Sequence, residues 1–320
     1  MYLHGHFYNQ KEERIEVHIL TGGDRTKETV IGEKNGELSF TDYPVELTSQ
    51  VNDTFDHLLC QQATVRLLAR NFVPDFFCAS CRDAVGNIYR EGKCIFAGFI
   101  EPQSYSQGYN EEFDEIELSC IDALTALQYA KYRDVGSLGV LYDVVKAEAE
   151  QRTFLAMLKE ILGGVTAALD IVGGNVMRYL YDGSKAVDSV VDNRYAIFGQ
   201  LTVSELLFLG EEEDDVWQQD EVLEEMLKYL NLHIVQDGFT FYLFSWESVK
   251  GDERICWRDL LTDASVTTAR QTTDIVTGLV TDTDTTISVG EVYNKIMLTA
   301  KVERMESVIE SPLDNDLLKS

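Results

Sequence analysis

Along the first third of the chain, apolar and polar residues alternate with the period of two that marks a strand buried on one face. Ile15, Val17 and Ile19 alternate with Glu16 and His18, and Asn9 to Glu12 would turn this strand back against Tyr2 to Tyr8. Asn35-Gly36, between Val30-Ile31 and Leu38-Phe40, supplies two positive-φ positions for a tight turn and predicts a second hairpin. Further strands are predicted at Thr64 to Ala69, Phe72 to Phe77, Cys94 to Ile100 and Phe113 to Cys120. A closed or nearly closed antiparallel barrel would protect the edges of so many short strands.

The period changes at Asp122. Asp122 to Ala130 predicts a short helix capped by Asp122, and Val140 to Leu162 carries apolar residues at helical spacing until Gly163-Gly164 stops it. Gly173-Gly174 and Gly183 punctuate a loop-rich stretch, and Thr202 to Leu209 predicts another short helix. Val222, Leu223, Met226, Leu227 and Leu230 share one helical face, with Glu221, Glu224 and Glu225 towards the positive end of the helix dipole. His233 to Gln236, Asp237-Gly238 and Phe239 to Phe244 then predict a hairpin packed on that helix, and strands follow at Thr285 to Val289 and Val292 to Val302. The chain therefore reads as α+β and β-rich, with segments 1–135, 136–215 (an inserted, mostly helical domain), 216–302, and an acidic linker or contact arm at 303–320.

Charge narrows the function classes. The chain has 320 residues, 55 acidic against 27 basic, for a formal net charge of −28. Such a balance opposes any surface that binds nucleic acid by neutralising phosphates. It resists aggregation, and a negatively charged wall would also let a polyanion slide past without sticking. Met1 to Tyr8 has no basic leader, and no run approaches the roughly 20 apolar residues that span a bilayer, so neither secretion signal nor membrane anchor is expected.

Candidate chemistry is sparse. Six cysteines, spread over some two hundred residues, lack the density of a disulfide scaffold and fit reduced thiols made in a cytoplasm. The best metal candidate is His57, Cys60, Cys78 and Cys81, whose spacing is compatible with a zinc knuckle. Against it, the residues between Ala63 and Phe77 read as strands of a larger sheet, so buried free thiols are the default and no cofactor is expected. No Gly-x-Ser-x-Gly elbow occurs, and the five histidines have no implied catalytic partner. The acidic run Glu211 to Asp215 is a solvated stretch rather than two carboxyl groups held across a cleft.

Lys93 to Pro102, then Glu115 to Leu127 with Asp122, Leu124 and Leu127 at a helix start, resembles the hub proteins of phage tails and related injection machines. The blocks Val222 to Phe244 and Val292 to Leu298 look like the second barrel region of such hubs. The resemblance spans 1–130 and 216–302. It implies two antiparallel, tail-tube-like β-barrel domains per subunit, a homotrimer that continues the tail tube, and a lumen through which DNA passes without specific binding. It further implies a virion location, synthesis in the host cytoplasm, and tube or distal tail, tape-measure and spike or tip proteins as partners. It implies no catalytic residue. The rival readings are a tail-associated cell-wall hydrolase and a hexameric adaptor between tube and hub.

Overall fold

A computed structural model describes residues 1–22, 27–34, 36–50, 53, 55–78, 80, 82–101, 107, 113–133, 142–166, 169, 179–182, 197–249, 254–262 and 265–269. Its first feature is the predicted hairpin: β1 (Tyr2–Tyr8) pairs antiparallel with β2 (Arg14–Leu20), from Tyr2 opposite Leu20 to Tyr8 opposite Arg14. Asn9 closes its turn, its Oδ1 accepting the N–H groups of Lys11 and Glu13, as short polar side chains do in Asx turns. The strands β3 (Glu28–Ile31), β4 (Leu38–Ser49), β6 (Gln61–Ala69), β7 (Val85–Arg90), β8 (Lys93–Ile100) and β9 (Asp114–Asp122) complete an eight-stranded sheet in the order β3-β1-β2-β7-β8-β9-β6-β4. All its pairs are antiparallel except β1 with β3.

Two expectations fail in this sheet. Val30-Ile31 and Leu38-Phe40 do not pair as a hairpin: β3 lies along β1, β4 lies along β6, and a Gly32 N–H to Leu38 C=O bond of 2.9 Å links the two edges. Asn35 lies outside the described residues. Ile31 and Leu38 are both buried in one apolar cluster with Leu3, Val17, Val65, Ile116 and Leu118, so the sheet curls and the connection crosses from one edge to the other. Phe72 to Phe77 is not a strand. Pro74 opens a 3₁₀ turn at Pro74–Phe76, as its fixed φ and missing N–H favour, which buries Phe76 and leaves Phe72 and Phe77 exposed.

The second sheet is mixed. Its order is β16 (Ser265–Ala269), β15 (Arg254–Asp259), β11 (Tyr179–Asp182), β14 (Thr240–Phe244), β13 (His233–Asp237) and β5 (Leu58–Leu59). The predicted β13–β14 hairpin is present, with Gly238 at φ 58° in its turn. β11 runs parallel to β14 and β5 parallel to β13, so this sheet is not purely antiparallel. Among the described residues the ladder of neither sheet closes on itself, and the protein is a strand-rich α+β fold with few helices.

The helices are α1 (Tyr142–Ala147), α2 (Phe154–Thr166), α3 (Ile197–Gln200), α4 (Leu206–Leu209), α5 (Gln219–Leu230) and α6 (Trp246–Val249). The run from 140 to 162 is thus not one helix ending at Gly163-Gly164. A strand, β10 (Gln151–Thr153), interrupts it, Thr153 Oγ1 caps α2 by accepting the Ala156 N–H, and α2 continues through both glycines. Thr202 to Leu209 likewise divides into β12 (Thr202–Ser204), paired with β10, and α4. The helix expected from Asp122 is a 3₁₀ turn at Thr125–Tyr129. α5 forms as predicted, with a capping box between Gln218 and Glu221 and Asn231 as a left-handed C-cap at φ 52°. The segments expected at 285–302, the arm at 303–320 and the glycines at 173–174 and 183 lie outside the described residues. No described helix is long and apolar enough to cross a membrane.

Candidate functional site

The blocks at 93–101, 115–127 and 222–244 converge where the two sheets meet. β8 and β9 lose their alternation here because both faces are buried. Phe96, Ile100 and Cys120 face the core of the curled sheet, while Phe99 and Ile121 face a second core built from α2, α5 and the β13–β14 hairpin. Gly98 sits opposite Asp122, and a Cβ there would lie 2.2 Å from the Ile121 carbonyl oxygen, so the close approach of the strands requires glycine. Leu124 and Leu127 of the 3₁₀ turn are fully buried with Val222, Leu223, Met226 and Leu227 of α5.

Polar side chains fasten this junction, each to the main chain. Asp122 Oδ2 accepts the Gln61 N–H at 2.8 Å, and Oδ1 accepts the N–H and hydroxyl of Thr125 at 2.8 and 2.7 Å. Burial pushes its carboxyl up to about 6 against the pull of those hydrogen bonds. Gln236, buried on β13, accepts the Ala123 N–H and donates to the carbonyls of Ala97 and Gly238, all at 2.8 Å. His57 and His233 stack at 5.2 Å and bond crosswise, Nδ1 of each lying 2.7 Å from the carbonyl oxygen of Leu232 and Asp56 respectively. Burial lowers the His233 pKa, which favours the neutral ring. The Gln236 bonds to Ala123 and Ala97 and the crosswise histidine bonds have no local sequence signal, because each joins residues more than one hundred positions apart.

The three described zinc candidates fall in two different cores. His57 and Cys60 flank β5, and Cys60 packs against the second core, whereas Cys78 lies buried in the first, its Sγ 3.4 Å from the Phe76 carbonyl oxygen. Burial pushes the thiol of Cys60 up to about 12 and that of Cys78 up to about 11, away from the thiolate that zinc requires. Cys81 lies outside the described residues, among which no cluster of three histidine, cysteine or carboxylate ligands forms.

A second polar cluster lies by β10 and β12. Glu205, nearly buried, accepts from Tyr132 at 2.7 Å, from the Glu150 N–H at 3.1 Å, and from Arg133 and Arg152. Desolvation raises its pKa, but these donors outweigh it and the carboxyl lies below its usual range. Glu160 pairs with both arginines, so the cluster joins α2, the strand pair and the segment after the 3₁₀ turn. Sequence reading missed this cluster. The acidic run at 211–215 is exposed, with a 3₁₀ turn at Glu213–Asp215.

No protein family profile and no curated protein matches the chain. Solved structures do. The 43 kDa tail protein of prophage MuSo2 from Shewanella oneidensis aligns at 9% identity over 62% of this chain and 47% of that one, with a TM-score of 0.36. A tail protein from Neisseria meningitidis MC58 aligns at 11% identity over 62% and 44%, with a TM-score of 0.36. The prophage tail protein gp18 from Listeria monocytogenes EGD-e aligns at 8% identity over 63% and 44%, with a TM-score of 0.31. The chain spans less than half the length of each of these structures.

Proposed function

We propose that this chain is a structural subunit of a phage tail, a hub at the distal end of the tail tube that assembles as a homotrimer around the DNA channel and holds the spike or tip. The observation that carries this reading is the junction itself. Asp122, Gln236, His57 and His233 all bond to main-chain groups of neighbouring strands and turns, so their chemistry fixes geometry rather than acting on a substrate. Three of the four sequence blocks that carry the resemblance meet at this junction, and the fourth, Val292 to Leu298, lies outside the described residues. In this reading the curled eight-stranded sheet is the first tube-like barrel, and the sheet bearing the β13–β14 hairpin, with α5, is the centre of the second. The acidic balance keeps DNA from adhering to the channel.

Native mass spectrometry and particle imaging of the purified chain test the proposal. Trimeric rings with a central opening are expected. A hexamer would replace the hub with a tube adaptor, a compact monomer would remove the ring altogether, and clearing of purified cell walls in a zymogram would replace structure with hydrolysis.

A further inference from the structure

The attachment of β5 to the second sheet runs through two histidines. Leu58 and Leu59 lie parallel to Ile234 and Val235 of β13, and the Ile234 N–H donates to the His57 carbonyl oxygen at 2.9 Å. Beside this short ladder the two rings stack at 5.2 Å with 15° between their planes, and each Nδ1 reaches a carbonyl oxygen of the other segment. A carbonyl oxygen only accepts, so both Nδ1 atoms carry hydrogen and Nε2 is the basic position of each neutral ring. Acid therefore leaves the crosswise bonds in place and adds charge to rings that face each other.

The surroundings oppose that charge. His233 is 1% exposed, its ring 5.1 Å from that of Trp246 and 5.8 Å from that of Phe244. Burial holds it below the ordinary histidine value, and a positive His57 adds to this, while Asp56 acts the other way through its carbonyl bond and its charge. Two cations stacked with little water between them repel far more than they would in solvent. Neither ring belongs to a metal site: among the described residues no cluster of three metal ligands forms. The far end of β13 is fastened by different chemistry. There the Gln236 amide, which does not titrate, ties the strand to Ala97 and Ala123.

We propose that the His57–His233 pair is a proton-operated latch: in mild acid the two charged rings part and free residues 56–59 from β13, while Gln236 keeps the two sheets joined. The sign follows from linkage. The folded chain favours the neutral His233 ring, so the latch contributes fully above the ordinary value of 6.5 and fails as pH falls through the lowered folded value. The device belongs to the single chain and does not rest on the tail-hub reading, since a monomer would carry it too.

The test is hydrogen exchange on the intact chain, followed amide by amide with NMR from pH 7.5 to 5. The protection factor of the Ile234 amide, which already corrects for the intrinsic exchange rate, should fall at least about tenfold relative to that of Ala123, whose N–H bonds to Gln236. This fall should coincide with titration of the His233 ring, read from its carbon and nitrogen chemical shifts on the same samples. The double variant His57→Asn, His233→Asn offers a side-chain N–H near each Nδ1 position but cannot titrate, and its ratio of the two protection factors should stay constant over the range. Asp122 titrates in the same range but is present in both proteins, so it cancels in the comparison. A ratio that stays constant in the wild type, that falls where His233 does not titrate, or that falls equally in the double variant would overturn the proposal. If the double variant does not fold, the wild type decides alone, by whether Ile234 loses protection at the pH where His233 gains its proton.

Discussion

Asp122 ends β9 with its carboxylate buried and three donors converging on it, from the Gln61 N–H and from the N–H and hydroxyl of Thr125. Removing the acceptor leaves at least two main-chain N–H groups, those of Gln61 and Thr125, without their partner at a partly buried junction. Asp122→Ala should therefore cost about 2–4 kcal/mol in denaturant unfolding at neutral pH. The pH dependence has a definite sign. Burial pushes the folded carboxyl up to about 6 from the ordinary aspartate value of 3.8, so the native state holds this proton more tightly than the unfolded chain. The stability it contributes is fully present below the unfolded pKa and is lost as pH rises through the folded one. Asp122→Asn cannot titrate and should remove this component. Subtracting its unfolding free energies from those of the wild type, between pH 4 and 7, isolates the residue from His233, whose lowered pKa acts oppositely by withdrawing stability as pH falls. A flat difference curve would show that Asp122 is not the titrating group.

At the scale of elements, what could be read in the sequence were the features whose partners lie nearby in the chain. The β1–β2 hairpin, the β13–β14 hairpin and α5 each have alternation or helical spacing, a turn residue and a cap within a few positions. β7 escaped notice although Glu91 and Gly92, both at positive φ, turn it into β8. Its Asn87 is polar yet buried, and that breaks the alternation a half-buried strand should show. β3 and β4 were misjudged because the competition between a hairpin and two long-range pairings is decided by the shared core around Leu3 and Val65. The site fared similarly. Asp122, Leu124 and Leu127 carried a local signal, while Gln236 and Glu205 gained their roles only through distant partners. α2 shows where a local rule yields to packing. Gly163 and Gly164 are good helix stops, but Ile161, Leu162, Val165 and Thr166 on either side of them are buried, and that burial holds the helix through the pair. A Cβ at either glycine meets nothing within 4 Å. Gly164→Ala should thus raise stability by about 0.5–1 kcal/mol in chemical denaturation, because it narrows the unfolded ensemble at a site that is already helical. A loss of stability there would mean that the last turn of α2 is not helical in solution.

Across the whole molecule, the formal charge of −28 opposes the association of copies of the chain. In the proposed ring, copies would bring like charges together, and this repulsion weakens as the Debye length shrinks from about 10 Å at 0.1 M salt to about 3 Å at 1 M. Apolar contacts between copies do not weaken over that range. Sedimentation velocity should therefore show assembly of the chain growing tighter as sodium chloride is added. Assembly that weakens with salt would mean that opposite charges meet between copies, which removes the like-charge account of the proposed ring.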